Sequence, residues 1–340
     1  MSNKIAIITI NKPSFTSAKK LESYLKNVDI YLSKKTPIDG DLKENHILFE
    51  KLDDILPIAW TKYDAIICIL AIGAVVRKIA PLLKDKSSDP AVLVVNLELN
   101  KIVPLLSGHL GGANELAKEL EKKLPNAISF ISTATDQTNT IAFEMEAKER
   151  GWDVVNLKSL ANISNRLLNN QIVKVATYKR VFNTLKNENL KLISFDNIDK
   201  NSVIISPFYF HTQNLHLKPK LFLGLGCNRG TSFEEIQRAV LEFLKKYNLS
   251  IEQVKNIASF ESKKDEIGLL EFAKKYGFKI KFFKKDEINC LKNDFSSSQA
   301  TNFFGIKGVA EPASILVSNY KELLIKKESF YNKITIAGAI

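Results

Sequence analysis

AIICILAIGAVVRKIAPLL, residues Ala65–Leu83, is the stretch on which the reading of the fold turns. Ala65–Leu70 is apolar on both faces, as a strand covered by helices on each side would be. Ile72–Leu83 then reads as a helix. Downstream, Ala91–Val95 and Ile102–Pro104 read as strands, Gly111–Leu124 as a helix and Ala127–Ser132 as another strand. Upstream, Lys4–Ile10 is a β-branched strand, and Ser14–Leu25 places Ala18, Leu21 and Leu25 on one helical face. Strands alternating with helices through short connections predict an α/β domain over residues 1–136 with a largely parallel sheet.

From Asp136 the pattern weakens. Residues 137–219 read as a variable middle segment and linker, with short strands at Gln171–Ala176 and Ser202–Ile205 and the linker at Ser206–Lys220. A second α/β domain over 220–340 opens with the strand Lys220–Gly224 and the helix Ser232–Tyr247. The strand Asn256–Phe260, the helix Asp265–Tyr276 and the strand Lys279–Phe283 follow, then a loop at Phe295–Phe304, a helix at Val309–Val317 and a closing strand at Ile334–Ala339. The expected class is therefore α/β: two sandwich-like domains with mainly parallel or mixed sheets around a variable middle.

The 340 residues suit about two domains. A hydrophobic share of 45% against 25% charged excludes disorder as the main state. The net charge of +12, from 49 basic and 37 acidic residues, favours anionic partners without saying which. Three scattered cysteines, Cys68, Cys227 and Cys290, argue against disulfides and against a zinc site. The start, MSNKIAIITINK, lacks the longer apolar run of a signal peptide, and no stretch approaches a membrane span. A soluble, cytoplasmic protein is expected.

Two glycine-bearing stretches invite chemistry. In Pro104–Asn114, PLLSGHLGGAN, a strand ends, a turn follows and a helix starts. Backbone N–H groups at such a start can receive an anion or a developing oxyanion. His109 sits among the glycines with a side chain that exchanges protons near neutral pH. The plain alternative is a tight turn that needs Gly108, Gly111 and Gly112 for its backbone, with His109 merely exposed. Upstream, Arg77 and Lys78 are available to carboxylates, or simply solvate a helix face.

The second stretch, Gly224–Ser232 (GLGCNRGTS), also follows a strand and precedes a helix, with Ser232 and Glu235 spaced as a capping box. Its third glycine arrives one residue late for a dinucleotide fingerprint, and no acidic residue stands at a strand end about 20 positions on. An anion-binding turn with Arg229 remains. Asp265 and Glu266 suit a first helical turn, and Glu311 before Pro312 suits an N-cap. Four scattered histidines show no metal-ligand spacing, and Cys227 has no neighbouring histidine in sequence.

Together these stretches resemble the CbiG-type cobalt-precorrin-5A hydrolases of anaerobic cobalamin biosynthesis. Gly73–Asn96 and Pro104–Ala117 resemble that family's N-terminal region. Gly224–Ile236, Ala258–Ala273 and Gly308–Ser314 (GVAEPAS) resemble its C-terminal domain. Pro312 departs from the small helix-favouring residue expected after GVAE. The resemblance implies a hydrolase that opens the δ-lactone of cobalt-precorrin-5A and releases acetaldehyde, giving cobalt-precorrin-5B. It implies no cofactor, because the cobalt arrives inside the tetrapyrrole substrate.

Those demands select His109, Glu115 and Glu311 as candidates for the catalytic base. The substrate-binding candidates are Arg77, Ser107, Gly108, Gly111, Gly112, Asn114, Gly224, Gly226, Arg229, Thr231 and Lys263. A non-catalytic tetrapyrrole carrier or scaffold of the same pathway is the alternative; a nicotinamide oxidoreductase rests on one turn, and nucleic-acid binding on charge alone. The expected partner is the tetrapyrrole, with neither nucleic acid nor membrane, and homodimerisation is left open.

Overall fold

A computed structural model describes residues 4–38, 41–85, 88–109, 111–132, 140–292, 295 and 305–340. Packing divides the chain into two compact units, Met1–Asn139 and Thr140–Ile340.

Unit 1 is built on seven strands: β1 (Ile5–Thr9), β2 (Val28–Ser33), β3 (His46–Phe49), β4 (Ala65–Cys68), β5 (Ala91–Val95), β6 (Lys101–Leu106) and β7 (Ile128–Ser129). Their order in the sheet is β3-β2-β1-β4-β5-β6-β7. Every residue of β1, β4 and β5 is buried, as their apolar runs demand. Helices α1 (Lys12–Glu22) and α4 (Ala113–Lys123) pack Phe15, Ala18, Leu21, Leu116 and Leu120 on one face. Helices α2 (Leu52–Lys62) and α3 (Ile72–Ile79) pack Ile55, Leu56, Val75 and Ile79 on the other. Each such aliphatic side chain, fully buried, contributes roughly 1.5–3 kcal/mol over exposure, so both faces must be covered. Pairing is parallel except between β5 and β6. Asn96 closes that reversal: its Oδ1 accepts the Asn100 and Lys101 N–H groups at 3.0 and 2.9 Å.

Several elements of unit 1 carry weak sequence signals. Strand β2 interrupts its apolar pattern with Asp29, β3 is only four residues long, and α2 has Pro57 in its interior. Helix α1 starts two residues early because Asn11 and Ser14 form a reciprocal capping box.

Unit 2 contains two sheets. The first holds β8 (Asp153–Val155), β9 (Val173–Ala176), β10 (Leu190–Ile193), β11 (Val203–Ile205) and β12 (His216–Lys218) in the order β10-β9-β11-β12-β8. The second holds β13 (Leu221–Cys227), β14 (Val254–Phe260), β15 (Ile280–Phe283), β16 (Leu323–Phe330) and β17 (Ile334–Ala339) in the order β15-β14-β13-β17-β16. Both are mixed: parallel strands with antiparallel β8 in the first and antiparallel β17 and β16 in the second. Helices α5 (Phe143–Arg150) and α6 (Leu160–Leu168) belong with the first sheet. Helices α7 (Phe233–Lys246), α8 (Ile267–Tyr276) and α9 (Ala310–Val317) belong with the second. One apolar core runs through both sheets, from Phe143 and Val175 to Phe243 and Ile336.

The α/β class and the mainly parallel or mixed sheets agree with the sequence. The middle differs in detail: 153–218 carries a whole sheet, and Ser206–Lys220, read as linker, contributes β12. Strands of three or four residues are too short to show a period. Their ends are tied instead by side chains, as where the Asn214 amide donates to the Asp199 and Ser202 carbonyls at 2.6 and 2.7 Å. The loop expected at Phe295–Phe304 lies outside the described residues except for Phe295.

Candidate active site

The β6–α4 turn collects most of the candidates in unit 1. Leu106 lies opposite Val92 near the start of β5, because β6 runs against β5. The turn therefore sits at the sheet edge where β1, β4 and β5 begin, not beyond their C-terminal ends. Ser107 takes a left-handed backbone with φ of 54°. Its neighbours make that possible: a Cβ on Gly111 would fall 2.3 Å from the Ser107 Cβ. Gly112 is the N-cap of α4 with φ of 85°. The side chain of buried Asn114 lies where a Cβ on Gly108 would be, 2.9 Å from its Oδ1.

Three N–H groups expected to be free for an oxyanion are engaged within the turn. Gly112 donates to the His109 carbonyl at 3.0 Å, Ala113 to that of Ser107 at 3.2 Å, and Asn114 to that of Gly108 at 3.0 Å. The Ser107 hydroxyl, by contrast, is buried without a hydrogen-bond partner. His109 is half-buried, and Glu115 is exposed in the first turn of α4. Arg77 is not part of this group. It lies on α3, which starts at the opposite sheet edge, and its Nη1 reaches back to the Gly73 carbonyl at 2.9 Å.

In unit 2 the second glycine stretch is mostly strand. Gly224 and Gly226 lie inside β13, which runs on to Cys227. A Cβ on Gly224 would fall 1.8 Å from the Ala310 carbonyl oxygen, so this glycine lets α9 lie on the strand. A Cβ on Gly226 would fall 2.5 Å from Thr335 Oγ1. Glu311 lies close to the N-cap of α9, in its first turn, while Val309 holds the N-cap position itself. The Glu311 carboxylate is buried and accepts the Lys327 N–H at 2.9 Å, a bond from β16 that draws the side chain inward.

Beyond the ends of β13 and β14 a charged cluster forms. Arg229 Nη1 lies 2.7 Å from Asp265 and 3.0 Å from Glu266, and its Nη2 donates to the Ser262 carbonyl at 2.8 Å. The guanidinium holds the Asp265 carboxyl below its usual range through that hydrogen bond. Asp265 and Glu266 precede α8 rather than filling its first turn, with Glu266 as the N-cap. Gly230, at φ of 71°, donates its N–H to Glu266 at 3.0 Å. Buried Thr231 donates its hydroxyl to the Asn228 carbonyl at 2.8 Å, and Ser232 with Glu235 forms the expected capping box. Lys263 stands 3.9 Å from Glu266. Burial pushes the Cys227 thiol up to about 11, which leaves it protonated at neutral pH and a poor nucleophile.

The structure thus brings together Ser107–His109 and Gly111–Glu115, separately Gly224, Gly226 and Glu311, and separately again Arg229, Thr231 and Lys263. Ser262 joins the last group without having been singled out, and Glu266, read from sequence only as a first-turn residue, joins it too; the charged run Glu261–Glu266 was the available signal. Among the described residues no group of three or more His, Cys, Asp or Glu side chains is placed to hold a metal ion.

Residues 54–136 match the family model for the N-terminal part of cobalamin synthesis protein G, and residues 221–339 match the model for its C-terminus. A cobalt-precorrin-5A hydrolase of Priestia megaterium is 31% identical over 98% of this chain and 94% of that protein. The chain belongs to the cobalt-precorrin-5A hydrolase family. A relative from Methanocaldococcus jannaschii, named for the same activity, is 32% identical over 80% of this chain and 84% of its own length. A solved cobalamin biosynthesis protein G homologue from Sulfolobus solfataricus is 25% identical, covers 98% of this chain and 96% of its own, and superposes with a TM-score of 0.38. Every candidate of unit 1 falls in the N-terminal family segment and every candidate of unit 2 in the C-terminal one. Strands β1 to β3 and the first sheet of unit 2 lie outside both segments.

Proposed function

We propose that this chain hydrolyses cobalt-precorrin-5A, opening its δ-lactone and releasing acetaldehyde to give cobalt-precorrin-5B. The observation that carries this reading is similarity to a hydrolase of that name over 98% of the chain, through both units. Water adds to the lactone carbonyl and gives its proton to a base; the ring C–O bond then breaks, leaving a carboxylate and an alcohol. As that oxygen becomes the carbonyl of acetaldehyde, the carbon–carbon electron pair passes to the macrocycle, which takes up a proton. Cobalt belongs to the substrate in this scheme, and no resident cofactor is needed.

His109 is the base we assign. It is half-buried in a turn held by its own hydrogen bonds, whereas the Glu311 carboxylate is already an acceptor for Lys327. Glu115 is solvent-exposed, where bulk water competes for its carboxylate, and is a weaker choice. The +12 charge suits a polycarboxylate substrate. No helix among the described residues is long and apolar enough to cross a membrane, and we place the reaction in the cytoplasm. The test is direct: purified protein with cobalt-precorrin-5A should yield trapped acetaldehyde in step with substrate loss. Binding without release would replace the hydrolase with a carrier.

A further inference from the structure

At the C-terminal ends of β13 and β14 the charges do not share their partners equally. Arg229 is engaged by Asp265, Glu266 and the Ser262 carbonyl. Glu266 is engaged too, by Arg229 and by the Gly230 N–H. Lys263 is different. Its side chain is only 13% exposed, yet the one carboxylate near it, Glu266, is 3.9 Å away, beyond hydrogen-bond reach. Among the described residues no acceptor takes its ammonium protons. Beside it the Ser262 hydroxyl is buried with no partner of its own. The ion pair at that length leaves the ammonium protons undonated to protein, and the orphaned hydroxyl beside it costs free energy. Among the described residues Glu266 Oε1, ion-paired but without a hydrogen bond, is the one buried acceptor beside them, against three ammonium protons and a hydroxyl.

The place is one where ligands of α/β sheets gather. Strands β13 and β14 are neighbours and parallel, and the residues lie just past their C-terminal ends. The imbalance also specifies the ligand. An ammonium whose stem is covered and whose protons lack a protein acceptor suits a single anionic oxygen group, and on the hydrolase reading that group is a carboxylate.

We propose that Lys263 is the anchor of a carboxylate subsite in unit 2, which takes one peripheral carboxylate of the tetrapyrrole. It positions the substrate and is not a catalytic residue. The proposal rests on the hydrolase reading for the identity of the ligand, but not for the existence of the subsite.

The experiment compares the full chain with Lys263→Met and Lys263→Arg. The binding probe is cobyrinic acid, a cobalt corrinoid with free peripheral carboxylates, with its methyl ester as the control. Lys263→Met should bind the acid about tenfold to a hundredfold more weakly, the range of a charge-assisted hydrogen bond, and Lys263→Arg should recover most of the loss. The ester should not distinguish the three proteins. With cobalt-precorrin-5A, Lys263→Met should raise KM by a similar factor and leave kcat within about twofold. Without ligand its stability should stay close to that of the parent, because the ion pair lost is a long one of 3.9 Å; a structural role for Lys263 would make it clearly less stable. Equal affinity of parent and Lys263→Met for the acid would overturn the subsite, as would an equal preference seen with the ester. Acid binding that depends on Lys263 in a protein that releases no acetaldehyde would instead overturn the hydrolase reading alone.

Discussion

The two glycine-bearing stretches look alike in sequence, each running from a strand into a helix, and they are built for different ends. In the β6–α4 turn, Gly111 and Gly112 shape a loop that turns left-handed at Ser107 and closes on its own carbonyls. In β13 there is no loop at Gly224 and Gly226. There the missing side chains let α9 and Thr335 approach the strand. A glycine reports that something comes close or that the backbone bends, and the sequence alone does not say which. The first stretch displays His109; the second is a packing surface whose charged cluster begins only after Cys227.

The sharpest way to break this contrast is to change His109. General-base assistance is worth roughly 10²–10⁴-fold, so His109→Gln should lower kcat by about that factor with KM and stability unchanged. Glu311→Gln in unit 2 should cost far less in kcat. A kcat for His109→Gln equal to that of the parent would remove the turn of unit 1 from the chemistry.

Next in size comes the strand glycine. Gly224→Ala sets a Cβ against the backbone of α9 and should lower unfolding free energy by about 3 kcal/mol or more, measured in urea. Gly230→Ala has open space around it but a φ of 71°, so its cost should be about 1 kcal/mol. Equal losses for the two would mean that α9 gives way and that the packing account of β13 is wrong.

Gly111→Ala should fall between these, at about 2 kcal/mol, since the Ser107 side chain 2.3 Å away must move. It should also lower turnover, because the same movement shifts His109. A stability loss with full turnover would separate the turn's shape from the reaction.

The smallest effect expected is one of pH, and it compares one histidine from each unit. Burial is the main cause that holds both His46 and His216 below the usual imidazole range. The His46 ring accepts the Lys43 N–H at 3.2 Å, and His216 Nε2 donates to the Ser206 carbonyl at 2.8 Å. A depressed folded-state pKa means that the unfolded chain binds the proton first. Each ring thus contributes stability above about pH 6.5 that is lost as pH falls below it. Urea midpoints from pH 7.5 to 5 should decline, and His216→Leu should flatten that decline. An unaltered slope in the variant would show that His216 does not take part.

Much of the fold was legible because its signals are local. Ala65–Leu70 and Ala91–Val95 are apolar on both sides, and only a strand between two helical layers buries both. Ser232 and Glu235 announce the start of α7 within a single turn. Strand β12 was missed because three residues cannot display an alternation and its polar neighbours look like loop. Helix α2 was missed because Pro57 breaks its interior.

The sequence by itself determined the α/β class, the main strands and helices, the family and the residues worth testing, because each depends on patterns within about a dozen neighbours. Only the tertiary structure decided that β6 runs against β5, which carries the His109 turn to the sheet edge opposite the start of α3. It also decided that Glu311 is buried against β16, that Gly224 faces α9, and that Lys263 reaches Glu266 only at 3.9 Å while Arg229 stands 3.0 Å from it. The reason is physical. Each of those facts depends on a partner in another strand or helix, reached only when the sheet assembles, and no local pattern records which partner will arrive.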